Sequence, residues 1–277
     1  MLEDVQASKH LYAPAEFLET PTLLSVNTQC APFGSAYEVT RISQDIQNFV
    51  GQKNYPCVAA IQSTFRKDFR VGVYRDFGFG SSWSALRNDL QYFLREQQRS
   101  GSAYLTFWAV YLDTHEATEK DFENALWNEL SSLTSEEDRE ADWSDKTRVD
   151  PKNKSFHFCL DGTSFFVVGL HPNSSRKACR FPHHALVFNV FSQFESLKAS
   201  GSFDPLVQKI RERDLVFDGS VNPVAAQHAE VWESIQFSGK NNPSDWQCPF
   251  QFRKKKDKPP SRFWSHKNGT PQAKPVA

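Results

Sequence analysis

The residues best equipped for chemistry gather after the apolar run Phe166–Val167–Val168–Gly169–Leu170. His171, Pro172, Ser174, Ser175, Arg176 and Arg180 follow it, so an imidazole, two hydroxyls and two guanidiniums sit at one strand end. Such a histidine can ligate a metal or close a turn, and residue type alone leaves both uses open. Arginines beside serines suit a carboxylate or phosphate, because a guanidinium presents a planar fork of donors. Other signals are weaker. Asp76–Phe77–Gly78 has the form of a kinase magnesium motif, but no HRD motif or phosphate-binding loop accompanies it. Gly78–Phe79–Gly80–Ser81–Ser82 matches neither a dinucleotide fingerprint nor a P-loop and reads as a loop ending in a helix cap. The run Arg253–Lys254–Lys255–Lys256 reads as solvated.

The elements that must position these residues show in the hydropathy pattern. Ile42, Ile46, Phe49 and Val50 recur at helical spacing, as do Trp83, Leu86, Leu90, Phe93 and Leu94. The run from Cys57 to Ile61 and the run Phe69–Tyr74 flank Arg66–Lys67–Asp68 and predict a hairpin. Ala103–Leu112 is almost continuously apolar, as a strand covered on both faces would be. Thr118 and Asp121 form a capping box before Phe122, Leu126 and Leu130. Asp161–Gly162 joins Ser155–Leu160 to Thr163–Gly169 in a second hairpin, and Ala185–Val190 adds a strand. Ser192 and Glu195 predict a capping box, Asp204–Pro205 opens a helix, and Asn222–Pro223 opens another over Val224–Ile235. His183 and His184 follow Pro182 and read as a solvated turn, and residues 134–154 as a solvated loop. Hairpins outnumber βαβ units, so the expected fold is α+β, a mainly antiparallel sheet with helices packed on it. The expected organisation is an irregular arm over 1–35, one domain over 36–250, and a basic, disordered tail over 251–277.

Composition narrows the class. With 277 residues, 39% of them apolar, the chain can bury a sizeable core. A net charge of −1 provides no global field for nucleic acid or an anionic membrane. No run of 18 apolar residues exists, and Met1–Leu2–Glu3–Asp4 does not begin a signal peptide. Five scattered cysteines, none paired as CxxC, argue for reduced thiols and a cytoplasmic location rather than a disulfide framework or a structural zinc site.

Several segments together carry a resemblance. Val167–Pro172, Ser174–Arg176, Arg180–Phe181, Leu186–Asn189, Gln193–Glu195 and Ile210–Asp214 closely resemble the YqcI/YcgG family. Tyr55–Pro56–Cys57, Gly219–Pro223 and Trp246–Phe250 add to it, and the likeness spans roughly residues 40 to 250. Two departures stand out. Family members often carry a histidine where this chain has Val190–Phe191–Ser192, and often an arginine at Cys179.

The resemblance implies a cytoplasmic haem enzyme that hydroxylates a guanidine nitrogen, in arginine or a related cyclic guanidine, during natural-product biosynthesis. A guanidinium is permanently charged and a poor nucleophile, so inserting oxygen into its N–H bond needs an activated cofactor. No CxxCH motif is present, which points to non-covalent haem b. Without a dinucleotide fingerprint, electrons would come from a separate redox protein. Cys57, His171 and Cys248 are the iron-ligand candidates. Ser175, Arg176, Arg180, Arg211 and Arg213 are the candidates for the haem propionates. Glu195, ranked first, and Asp214 are the candidate carboxylates for the guanidine. Two other readings use the same residues: a haem-binding or haem-sensing protein without turnover, and a non-haem iron oxygenase built on His171 and carboxylates.

Overall fold

A computed structural model describes residues 36–112, 114, 116, 118–135, 138, 149–222, 233–243 and 245–253. The expected arm over 1–35, most of the 134–154 loop, the helix expected after Asn222–Pro223 and nearly all of the basic tail lie outside them.

Helices α1 (Ala36–Val50) and α2 (Val58–Phe65) precede β1 (Phe69–Tyr74). Then come α3 (Trp83–Ser100), β2 (Thr106–Tyr111), α4 (Glu119–Leu133), β3 (Phe158–Leu160) and β4 (Thr163–Leu170). The order closes with β5 (His184–Val190), α5 (Phe191–Ala199) and α6 (Phe203–Asp218). The sheet order is β1-β2-β5-β4-β3, with β1 and β2 parallel and the other three pairings antiparallel. The α+β expectation therefore holds, with one βαβ crossover through α3. No helix among the described residues is long and apolar enough to cross a membrane.

Alternation along the central strands divides the apolar residues between two faces. Phe107, Ala109, Tyr111, Phe165, Val167, Leu186 and Phe188 meet α3 and α4 in one buried cluster. Trp108, Val110, Leu170, Ala185 and Val187 join Val39, Ile42, Ile46 and Phe49 of α1 in the other. The first face is closely filled. A Cβ on Gly169 would stand 2.6 Å from the Phe237 carbonyl oxygen and 2.8 Å from Phe122. The Gly169 amide donates to that same carbonyl at 2.6 Å, which holds residues 234–239 against β4.

The β3–β4 hairpin is as expected. Asp161 and Gly162 both take positive φ, 47° and 74°, as a two-residue hairpin turn demands. The Thr118 cap also forms, its hydroxyl accepting from the Asp121 amide. Four local expectations need correction. The run after Cys57 is helix α2, not a strand, because Cys57, Ala60 and Ile61 pack into the second cluster at helical spacing. No Ser192–Glu195 capping box forms: β5 runs straight into α5, Val190 precedes its first turn, and Ser192 lies inside it. His184 is buried at the start of β5, and His183 is bonded to Asp45 at 2.9 Å, so neither occupies a solvated turn. α6 starts at Phe203, which puts Asp204 inside its first turn rather than at the cap.

Candidate functional site

A cavity of about 300 Å³ opens on the second face. Its floor is the sheet: Thr106 and Trp108 of β2, Val187 and Asn189 of β5, Phe166 and Val168 of β4. Helices α5 and α6 wall it with Phe191, Phe194, Phe203, Leu206 and Ile210. The start of α2 contributes Cys57, and the polar end carries Arg176, Asp214 and Asn222. An apolar chamber with a few convergent polar groups is the usual form of a small-molecule site.

Cys57 is held from several directions. It precedes the first turn of α2, where its sulfur accepts from the Ala60 amide at 3.4 Å. Arg213 Nε donates to the Tyr55 carbonyl at 2.7 Å, and the Tyr55 hydroxyl donates to the Ala178 carbonyl at 3.2 Å. The Tyr55 ring meets Phe49 and Phe217 edge-on. Burial raises the thiol pKa, and the amide bonds at the helix start only partly oppose it, so Cys57 rests as a thiol unless a metal draws off its proton.

The polar end is a buried ion cluster. Arg176 Nη2 stands 2.6 Å from Asp214 and 3.4 Å from Asp218, and all three side chains are at most 6% exposed. Asp218 also accepts from the amides of Lys177 and Ala178. Asp214 accepts from the Asn222 amide. Burial raises the Asp214 pKa, against the opposing pull of Asn222 and Arg176. One guanidinium faces two carboxylates, so the cluster holds one excess negative charge when both are ionised. Arg176 Nε is buried without a hydrogen-bond partner.

The YqcI/YcgG family model matches residues 46–251, which include all five strands among the described residues, the cavity walls and the ion cluster. The chain belongs to the YqcI/YcgG family. A curated relative from Bacillus subtilis (strain 168), described as "Uncharacterized protein YqcI", is 28% identical over 157 residues, covering 50% of this chain and 58% of the relative. The chain thus spans less than two thirds of that relative's length. No solved structure matches.

Within this family domain, the two sheet faces separate the iron-ligand candidates. Cys57 borders the cavity. His171 packs against Phe122 and Cys248 against the first cluster, both on the opposite face. Burial lowers the His171 pKa to about 4 and lifts the Cys248 thiol to about 12.

The arginines divide too. Arg180 donates to the carbonyls of Ser174 and Ser175 and so braces the turn it was expected to arm. Ser175 is engaged with Glu119, its amide and hydroxyl both 2.9 Å from one carboxylate oxygen. Arg213 positions Tyr55, Arg211 is half-buried on α6, and only Arg176 of the four lines the cavity. Glu195 is exposed on α5 and lines no part of the cavity, whereas Asp214 lies within it. Among the described residues no three His, Cys, Asp or Glu side chains converge as a metal-binding group.

Sequence reasoning missed Asp218, Lys198 and the aromatic wall of α5. Asp214 and Asp218 stand four apart on one helix, a spacing that places them on one face and could have linked them. Lys198 had no comparable signal; it reaches the cavity because α5 follows β5 without a loop.

Proposed function

We propose that this chain is a haem-dependent N-hydroxylase acting on the guanidine group of a small cationic substrate, with Cys57 as the protein ligand to iron. The observation that supports this most is the shared face: the one candidate thiol at the cavity lies with an apolar chamber and a buried carboxylate cluster, while both rival ligands lie across the sheet. The residues present fit the group. Trp108, Phe166, Val168 and Phe194 offer an apolar wall to a macrocycle, and Lys198 offers a cation to its acidic arms. Haem, when bound, supplies the oxygen activation that no side chain provides.

The chain's own residues bind, orient and exclude water. Asp214, with one negative charge in excess around Arg176, offers a planar acceptor to a guanidinium. Asn189 Nδ2 is committed to the Phe166 and Val187 carbonyls, which leaves its side-chain oxygen for a polar contact at the floor. The aromatic wall keeps water from competing for either group. The reaction converts one N–H to N–OH. One atom of O2 enters that bond and the other leaves as water, with two protons taken up and two electrons supplied by a separate redox protein. Among the described residues Cys57, Cys159, Cys179 and Cys248 are free thiols.

The test is spectroscopic first. Full-length protein reconstituted with haem should show a thiolate signature in its reduced carbon monoxide complex. Cys57→Ala should lose that signature and His171→Ala should keep it. Arginine-like guanidines should perturb the haem spectrum and, with oxygen and a reductase, yield the N-hydroxy product. Absence of haem binding sinks the proposal. Haem binding without turnover on any guanidine reduces it to a haem-binding or sensing role.

A further inference from the structure

His171 and His184 form a second cluster on the packed face, across the sheet from the cavity. Leu170 and Ala185 are register partners at the end of β4 and β5, so the next residue outward on each strand is one of these histidines. Tyr111 of β2 pairs with His184 in the same register and lies in the packed-face cluster, which fixes the side to which the imidazoles turn. His171 is 1% exposed and His184 5%. Each has a buried Nε2 with no hydrogen-bond partner. Such orphaned atoms are rare in folded proteins, and two on adjacent strand ends, with ring centres 6.0 Å apart, call for a shared explanation.

The geometry points to a shared metal ion: we propose that His171 and His184 bind one monovalent d10 cation, Cu(I) being the physiological case, between their Nε2 atoms. The ring centres are 6.0 Å apart, with the planes 35° from parallel. Two imidazoles on one ion, at about 2 Å per bond, put their ring centres at most about 6.3 Å apart when the bonds are collinear, and about 5.1 Å apart at a tetrahedral angle. The observed separation sits near the linear limit, the two-coordinate geometry of d10 monovalent ions. Phe122 stacks on the His171 ring at 4.2 Å and 21°, covering its face. Phe77 and Phe122 flank His184 with tilted rings at 5.7 Å and 5.5 Å, walls that offer no further donor atom. Glu116 Oε2, 3.5 Å from His184 Nε2, supplies a neighbouring negative charge. Both rings are neutral at pH 7, as ligation requires.

The test uses full-length protein with ring-labelled histidine, titrated anaerobically with Cu(I) and, as a redox-inert substitute, Ag(I). Long-range nitrogen NMR reads imidazoles alone and is blind to the thiols that also take these ions. One equivalent added beyond the five cysteines should shift both Nε2 resonances together. Their shifts should persist in Cys57→Ser, so that failure here and failure of the haem proposal are distinguishable. His171→Asn and His184→Gln should each abolish the shift at the remaining partner. Unshifted resonances, or a shift at one ring only, overturn the shared site. Zn(II) producing the same shifts at equal or lower concentration overturns the linear d10 assignment. The wild-type titration decides the matter even if a variant fails to fold.

Discussion

Phe107 and Trp108 are neighbours on β2 and serve opposite sides of the sheet. Phe107 is fully buried, its ring centre 5.8 Å from that of Phe93 on α3 and 6.3 Å from that of Phe188. Trp108 meets Phe181 but also borders the cavity. The same contrast repeats along β4 and β5. On one face aromatic residues pack against α3, α4 and the chain around Phe237, Trp246 and Phe250. On the other, a cavity opens between the sheet and helices α5 and α6. A strand whose residues alternate in this way places a dry, stiff layer directly behind a chamber, so the chamber floor is held by packing it does not itself provide.

The largest effect should separate the faces by packing. Phe122→Ala removes a fully buried ring that touches Phe77, His171 and His184, and should cost about 3–5 kcal/mol in denaturant unfolding. Phe194→Ala removes a half-buried cavity wall and should cost about 1 kcal/mol while impairing ligand binding. Equal costs would mean that the cavity closes in solution and the contrast is false.

Next comes the ion cluster. Asp214→Ala leaves Arg176 with Asp218 alone and strips the Asn222 amide of its acceptor. The loss should be about 3 kcal/mol, the lower end for a broken buried pair, because one carboxylate remains. An unchanged unfolding midpoint would show that the cluster is solvated.

A pH dependence of similar or smaller size should mark the packed face. Glu129 is fully buried, accepts from the amides of Gly78 and Gly80 and from the Tyr111 hydroxyl, and has its pKa raised by burial from 4.5 to about 7. Below pH 4.5 it is protonated in both folded and unfolded chains. Between 4.5 and about 7 the unfolded chain ionises first, so the Glu129 contribution to stability falls as pH rises, by up to about 3 kcal/mol, and is level beyond. Glu129→Gln should remove that slope. The opposite slope should survive in the variant: burial depresses His171 and His184 from 6.5 to about 4, so their contribution is complete above pH 6.5 and is lost as pH falls toward 4. Parallel pH profiles for the variant and the parent would refute the Glu129 assignment.

Much of this contrast was legible in the chain. Continuous apolar runs announced β2 and β5, and Asp161–Gly162 announced its hairpin, because turn chemistry is local. Cys57–Ile61 was misread because a short apolar run serves a buried strand and a buried helix equally. The site was legible in part: Cys57, Arg176 and Asp214 meet at the cavity although they lie far apart in sequence. Arg180 and Ser175 did not join them, since backbone carbonyls and Glu119 claim their donors, and those partners are set by the tertiary fold. The opposition of Cys57 and His171 across the sheet depends on strand register, which residue types do not encode.

The smallest effect concerns Glu195, and it tests the cavity face most directly. Phe194, its neighbour, turns into the wall, while Glu195 is exposed on the outer side of α5. It cannot close a capping box, because the helix has already begun at Phe191. Glu195→Gln should therefore leave stability within about 0.5 kcal/mol of the parent. Its affinity for arginine-like guanidines should also be unchanged. Asp214→Asn keeps the shape of the buried side chain but removes its charge, and should abolish measurable guanidine binding under the same conditions. Binding can be read by calorimetry on the haem-loaded protein, so turnover is not needed. If Glu195→Gln weakens binding as much as Asp214→Asn does, the guanidine is held outside the cavity. The two carboxylates would then have to exchange roles, with Asp214 serving only to anchor Arg176.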